Sequence, residues 1–266
     1  TDDNTPKING TGTAGETIRI YKDGSFVDEV TVQPDGSWTY TPTTALPEGE
    51  HVYTASSVDD VGNESARTAP FSITVDRTSP DDITNFIGTD DVGLVTGTIV
   101  NNSTIDDATP TFSGEVNAAE VAMDSTVTVI IRDENDNIIQ TITGVALTAG
   151  ANPGDPATWS TDPSPALGNG SYKVTAKVVD KAGNESNETT SLNFDIDTAT
   201  PGAPSIVSVI DDVPAVAGGP DETIAHEGIT NDDRPTITGT GPKNATIRIY
   251  DGDPANGGTK LFETTS

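Results

Sequence analysis

The sequence predicts an all-β protein, built as tandem immunoglobulin-like antiparallel β-sandwiches arranged end to end. Three observations carry that expectation. Apolar residues fall at every second position in short segments such as "HVYTASSVD" (51–59) and "YKVTAKVVD" (172–180), the period of a strand with one buried face. Gly, Pro, Asn and Asp punctuate these segments at short intervals, in "KDGS", "PDGS", "ENDN" and "GNG", where a chain reverses direction. The same motifs also return in the same order along the chain, and no stretch sustains a helical period.

The repeats set the boundaries. "DDNTPKINGTG" (2–12), "DDATPTFSGEV" (106–116) and "DDRPTITGTG" (232–241) are three copies of one opening motif, and "TIRIY" follows at 17–21 and again at 246–250. "SVDDVGNES" (57–65) matches "VVDKAGNES" (178–186), and "FSITVDRTSP" (71–80) matches "LNFDIDTATP" (192–201). One repeat is therefore expected over 1–79, without its first strand, a second over 80–200, and the N-terminal part of a third over 201–266. His51, Tyr53, Ala55 and Ser57 align with Tyr172, Val174, Ala176 and Val178 as the inward row of one strand. Val127, Val129 and Ile131, then Phe71, Ile73 and Val75, and Leu192, Phe194 and Ile196 form further inward rows, with Trp38 and Trp159 as core positions.

Charge excludes whole classes of function. Thirteen Lys and Arg stand against 42 Asp and Glu, a net charge of −29. Phosphate contacts need a basic surface, so nucleic acid is excluded as a partner. Anionic membrane surfaces are excluded likewise. Charged residues make up 21% of the chain, too few for a disordered polyacid; the excess must be held by solvent or cations. Without cysteine there is neither a disulfide nor a thiolate metal site. No apolar run approaches a membrane span, so no membrane insertion is expected. The two histidines, His51 and His226, have no nucleophile beside them, and no catalytic role is expected.

The ordered series "TDDxTPxxxGTG", "DGSW", "VDxxGNxS" and "VDxTxP" resembles the bacterial immunoglobulin-like repeats of giant type I-secreted, calcium-binding adhesins of Gram-negative bacteria. The likeness covers nearly the whole chain, although "DGSW" becomes "DPATW" in the second repeat. It implies a secreted or cell-surface spacer, monomeric, whose partners are neighbouring repeats of the same chain and, through the parent protein, a host glycan or receptor. A receptor- or glycan-binding tip module of the same kind of adhesin is the alternative. It also implies calcium near the junctions between repeats.

Sandwich topology says which acidic motifs meet. The "DD-x-x-P" connection between strands A and B and the "VD-x-T-x-P" end of strand G fall at one pole, and the "D-x-x-G-N-x-S" loop between F and G falls at the other. Stacked end to end, the first junction brings Asp2, Asp3 and Asp76 toward Asp180 and Asn184. A second would use Asp106, Asp107 and Asp197, while Asp59 and Asn63 would serve an upstream neighbour. Inside the repeats, "TDDVGLVTGTIVNNSTIDD" (89–107) reads as one long A–B loop, with calcium held by Asp90, Asp91 and Asp106. The layout recurs at 210–233 with Asp211, Asp212, Asp232 and Asp233. Oxygen-only donors of this kind suit Ca2+, whereas zinc would favour His or Cys. The competing reading is plain turn chemistry, since Asp and Asn bond their own backbone. Asp23, Asp35, Asp133 and Asp136 are read that way.

Overall fold

The computed structural model describes residues 1–213 and 221–265; residues 214–220, in the middle of the acidic segment at 210–233, lie outside them. The chain divides into two compact units, 1–198 and 199–266. Among the described residues no helix is long and apolar enough to cross a membrane.

The first unit holds two repeats. Repeat 1 comprises β1 (Ile8–Thr11), β2 (Thr17–Lys22), β3 (Ser25–Thr31), β4 (Ser37–Tyr40), β5 (Gly49–Val58) and β6 (Phe71–Val75). They form sheets β1-β4 and β3-β2-β5-β6. Repeat 2 runs through β7 (Thr84–Asp90), β8 (Gly97–Thr98), β9 (Ser103–Ile105), β10 (Thr111–Val116), the short helix α1 (Ala119–Ala122), β11 (Thr126–Asp133), β12 (Ile138–Ala146), β13 (Ala157–Thr161), β14 (Gly170–Val179) and β15 (Leu192–Ile196). Its sheets are β13-β10-β7-β8 and β12-β11-β14-β15-β9. The second unit carries β16 (Ser205–Asp211), β17 (Glu222–Thr223), β18 (Thr236–Thr240), β19 (Thr246–Asp251) and β20 (Thr259–Thr265), paired as β17-β16-β18 and β19-β20.

The period-two pattern does what it predicts in repeat 2. Val127, Val129 and Ile131 of β11 meet Val174, Ala176 and Val178 of β14, all fully buried. Phe112 and Val116 of β10 and Ala157 and Trp159 of β13 close the core from the other sheet. Each tryptophan is seated by a glycine directly across the ladder, Gly10 opposite Trp38 and Gly114 opposite Trp159. A Cβ on Gly10 would collide with the Trp38 indole, and one on Gly114 would lie 3.0 Å from Trp159 Nε1. The glycines of the opening motif are thus the floor on which the indoles lie. His51 and Tyr172 occupy one corner: His51 Nε2 bonds the Pro47 carbonyl at 2.8 Å and the Tyr172 hydroxyl donates to the Gly168 carbonyl at 2.9 Å. Each side chain thereby ties the start of its strand to the loop before it.

Three expectations change. Residues 89–107 are not a structureless loop: β7 runs on to Asp90, β8 folds back on it, and β9 crosses to the other sheet to pair parallel with β15. Phe71 is 60% exposed rather than inward; among the described residues β1 pairs with β4 alone. Ser56, off the expected inward row, is buried while Ser57 is half-buried; the Ser56 hydroxyl is held by Glu64.

Gly10→Ala is expected to cost about 1–3 kcal/mol through overpacking against Trp38. Denaturant unfolding followed by tryptophan emission checks this; a loss below 0.5 kcal/mol would mean that the indole has room to move.

Candidate metal centres and the junction between repeats

The two "GNES" motifs are first of all turns. Gly62 and Gly183 adopt positive φ, 90° and 102°, a region where glycine carries no steric cost. The Asp59 carboxylate accepts from Val61 N, Asn63 N and Asn63 Nδ2, and Asp180 accepts from Gly183 N, Asn184 N and Asn184 Nδ2. Asp133 and Asn137 build the same bonds in the β11–β12 hairpin. Ser65 and Ser186 accept from Ser57 N and Val178 N, fastening the loop to its strand. Glu64 reaches across the sheet, where the Ser56 and Tyr21 hydroxyls and the Arg19 guanidinium pull its carboxyl down to about 2.

What separates Asp180 and Asn184 from the other two pairs is position. Asn184 Nδ2 donates to Asp180 Oδ2 at 2.8 Å and, across the boundary between repeats, to the Asp76 carbonyl at 3.0 Å. Two oxygens from different repeats thus converge on one amide. Asp76 turns its own carboxylate to Thr78 N, and Asp3 turns its carboxylate to Thr5; Asp2 is exposed.

The linker is tied down by residues outside the expected set. On the side of repeat 1, Glu48 accepts from Arg77 N and the Thr78 hydroxyl. On the side of repeat 2, buried Glu120 accepts from Asp81 N at 3.0 Å and from the Ser125 hydroxyl. Asn117 bonds the Asp81 carboxylate, and Asn187 grips Asp82 with its backbone N–H and its amide. Pro80 is buried between these ties. The Asp-Asp pair of "RTSPDD" (77–82) was a visible signal for Asp81 and Asp82; Glu120 in "NAAEVAMDS" (117–125) belongs to no repeated motif and carried none. At the far end of repeat 2, Asn169 takes the place of Glu48 and holds Asp197 and Thr198.

The second group lies where β7 ends. Asp90 and Asp107 are 5% and 1% exposed. Asp90 Oδ1 accepts from Val92 N, and Asp107 Oδ1 accepts from Thr109 N and its hydroxyl. Asp107 Oδ2 is buried without a partner. The Asp106 carboxylate packs on Gly93, where a side chain would collide with it. Burial raises the Asp90 carboxyl above its ordinary value, and the charges of Asp106, Asp107 and Asp91 add to that against the pull of Val92 N–H. Among the described residues no three acidic or histidine side chains stand close enough together to cage a metal as placed. The donors are nonetheless all oxygen, and the orphaned, buried Asp107 Oδ2 lacks a positive partner, so the group fits a hard cation.

The second unit repeats the layout with a different balance. Asp211 Oδ1 accepts from Val213 N and its Oδ2 from the Thr230 hydroxyl; Asp232 Oδ1 accepts from Arg234 N and its Oδ2 from Asp212 N at 3.3 Å. Asp232 therefore corresponds to Asp107, and Asn231, rather than an aspartate, to Asp106. Asp233 follows as an exposed residue at the position of Ala108, one place later than the paired motifs suggested.

The sequence profile of the bacterial Ig-like domain matches residues 1–77 and 86–198, and the chain belongs to that family. Solved structures overlay loosely. Fibronectin(III)-like modules of Clostridium thermocellum CbhA are 10% identical with a TM-score of 0.41, covering 71% of this chain and 85% of theirs. A tetra-tandem repeat from the extending region of a large adhesion protein is 22% identical with a TM-score of 0.29, covering 100% of this chain and 60% of its own. No curated protein sequence matches the chain.

Asn63→Ala and Asn184→Ala both open a turn, but only the second releases Asp76. Asn184→Ala should therefore cost about 1 kcal/mol more, with faster hydrogen exchange confined to residues 76–82. Equal costs would place no energy in the junction contact. For Glu64 the folded carboxyl titrates near 2 against an ordinary 4.5. Its stabilisation is full above the ordinary value and lost as pH falls toward 2. Glu64→Gln should thus lower the melting temperature at pH 7 and match the parent near pH 2; a pH-independent difference would refute the assignment.

Proposed function

We propose that the chain is a non-catalytic spacer of a secreted bacterial surface adhesin, stiffened by calcium. The observation that carries this reading is the linker at 76–82, gripped by Glu48 on one repeat and by Glu120, Asn117, Asn184 and Asn187 on the next. A linker held from both sides transmits orientation, which is what a stalk needs and a flexible tether lacks. Family membership supports the reading, as does a charge balance suited to cations and to no polyanion.

Asp90, Asp91, Asp106 and Asp107 would hold one ion. A calcium ion there supplies the charge that the buried Asp107 oxygen lacks, through oxygen contacts of about 2.3–2.6 Å. At the junction, Asp76, Asp180 and Asn184 offer a second set, with Asp2, Asp3, Asp81 and Glu120 adjoining in sequence or structure. Asp197 would play the part of Asp76 at the next boundary, and Asp59 with Asn63 that of Asp180 with Asn184 at the one before. Extracellular modules bind calcium at about 0.1–1 mM, so such sites fill outside the cell. In the second unit the carboxylates of Asp211 and Asp232 accept from N–H and O–H donors on both oxygens, Asp212 is exposed, and we assign no ion there.

Asp107→Asn separates this reading from plain turn chemistry, because its effect should change sign. In chelator it removes a buried, unpartnered charge and should raise the melting temperature of repeat 2. In millimolar calcium it should lower it, since an ion that binds only the folded state contributes about 2.7 kcal/mol at a hundredfold excess over Kd. The same sign in both conditions would overturn the assignment. For the spacer role, small-angle scattering of the whole chain should lose its longest interparticle distances on chelation at constant mass. Superimposable profiles would mean that stiffness does not depend on the ion.

A further inference from the structure

Three Asn-Gly pairs occur in the chain, Asn9-Gly10, Asn169-Gly170 and Asn256-Gly257. An asparagine before glycine is open to ring closure, because no side chain screens the next backbone nitrogen from the asparagine amide carbon. The three differ in what holds the amide. Asn9 lies inside the β1–β4 ladder opposite Thr39, and its Oδ1 accepts from the Thr39 hydroxyl at 2.8 Å. Asn256 spends its amide N–H on the Asp253 carboxylate. Of the three, Asn169 alone has two donors on its amide oxygen, Thr198 N at 3.1 Å and Thr198 Oγ1 at 2.8 Å. Its Nδ2 donates to Asp197 Oδ1 at 3.3 Å. Asn169 and Gly170 are both exposed to water. Gly170 is the first residue of β14, and apart from its chain neighbours only the Tyr172 hydroxyl comes within 4.0 Å of where a Cβ would stand.

Repeat 1 shows what this corner accommodates. Glu48 stands in place of Asn169, also before a glycine of positive φ, and its carboxylate accepts from Arg77 N and the Thr78 hydroxyl at 3.3 Å each. A carboxylate is therefore at home on the kind of donor pair that Asn169 meets with an amide.

We propose that Asn169 is a self-modifying site, where the amide becomes a carboxylate without an enzyme. The Gly170 backbone nitrogen attacks Cγ of Asn169, forming an N–Cγ bond and giving its proton to water. The charge that gathers on Oδ1 meets the two Thr198 donors, already in place where it develops. The Cγ–Nδ2 bond then breaks, and the nitrogen leaves as ammonia with a proton taken from water. Water opens the cyclic imide at either carbonyl, to aspartate or to its β-linked isomer. The sum is one amide and one water to one carboxylic acid and one ammonia, with no oxidant or cofactor. The aspartate product keeps both Thr198 donors but offers no N–H to Asp197. The boundary after repeat 2 thus gains a negative charge and loses a tie, and two like charges then face each other there.

The test incubates the whole folded chain in neutral buffer and follows each Asn-Gly pair by peptide mass mapping, with enzymatic methylation to report the β-linked isomer. Conversion at Asn169 is expected to run at least tenfold faster than at Asn9 or Asn256. Thr198→Val, which removes the hydroxyl donor and leaves the N–H, should slow it at least threefold, and Thr198→Ser should restore it. In urea the three pairs should convert at similar rates, because the donors are then dispersed. Asn169→Asp, standing in for the aspartate product, should keep the slow hydrogen exchange of the Thr198 N–H. A folded-state rate at Asn169 no faster than at the other two, a lead that persists in urea, or a rate indifferent to Thr198→Val overturns the proposal. So does loss of Thr198 protection in Asn169→Asp, for then the corner rejects the product.

Discussion

The loops of this protein close by one interaction used repeatedly: an aspartate accepting the backbone N–H two residues further on. Asp3, Asp35, Asp76, Asp90, Asp107 and Asp232 all do so. A chain of short strands leaves many backbone donors outside any ladder, and each must find an acceptor. Having no cysteine, the protein fixes its turns with carboxylates. The acidity is therefore structural before it is functional. Where strand ends bring two such turns together, as at Asp90 and Asp107, the carboxylates are buried, and burial, with the charge of Asp107 adding to it, raises the Asp90 carboxyl above its ordinary value, which is the ground on which we propose a cation there.

This double duty explains what the sequence could and could not disclose. The fold was legible because burial in a sandwich follows local alternation, and Val127, Val129, Ile131 and their partners on β14 obey it. Phe71 departs from the rule because its burial is set by what lies on β1 rather than by its own alternation. Leu192, at the same step of the ladder in repeat 2, packs beneath β7, and among the described residues β1 pairs with β4 alone. β8 and β9 were missed as strands because two and three residues are too few to show a period. In the candidate site, an aspartate four residues before an asparagine is the same signal at the plain hairpin of Asp133 as at the junction of Asp180. Only the fold places Asn184 against the Asp76 carbonyl. Glu120 was invisible for the opposite reason: its importance lies in burial beside the linker, and no motif surrounds it.

The repeats also show how a conserved layout accommodates different electrostatics. Glu48 and Asn169 occupy one corner, a carboxylate accepting from the linker in the first case and an amide that both donates and accepts in the second. Asn231 in place of Asp106 takes the negative charge from that position, and Asp233 carries one at the exposed position of Ala108 instead, while the Thr230 hydroxyl and Asp212 N donate to the carboxylates of Asp211 and Asp232. Neutral substitutions at two positions thus change what each loop asks of its surroundings without altering its path.

The parallel pairing of β9 with β15 has a mechanical consequence. β15 is the last strand of repeat 2 and β9 belongs to its N-terminal part, after β7 and β8, and Phe194, Asp195 and Ile196 face Ser103, Thr104 and Ile105 across them. Asp197 N adds a bond to the Ile105 carbonyl, as Asp76 N does to Thr1 in the repeat before. A pull along the chain drags the two strands past each other lengthwise. The bonds between parallel strands are evenly spaced, so they share the load at once, whereas a hairpin pulled from its open end parts one bond at a time. The parallel contact between β9 and β15 in repeat 2 is thus loaded in shear, the direction in which a short ladder resists best.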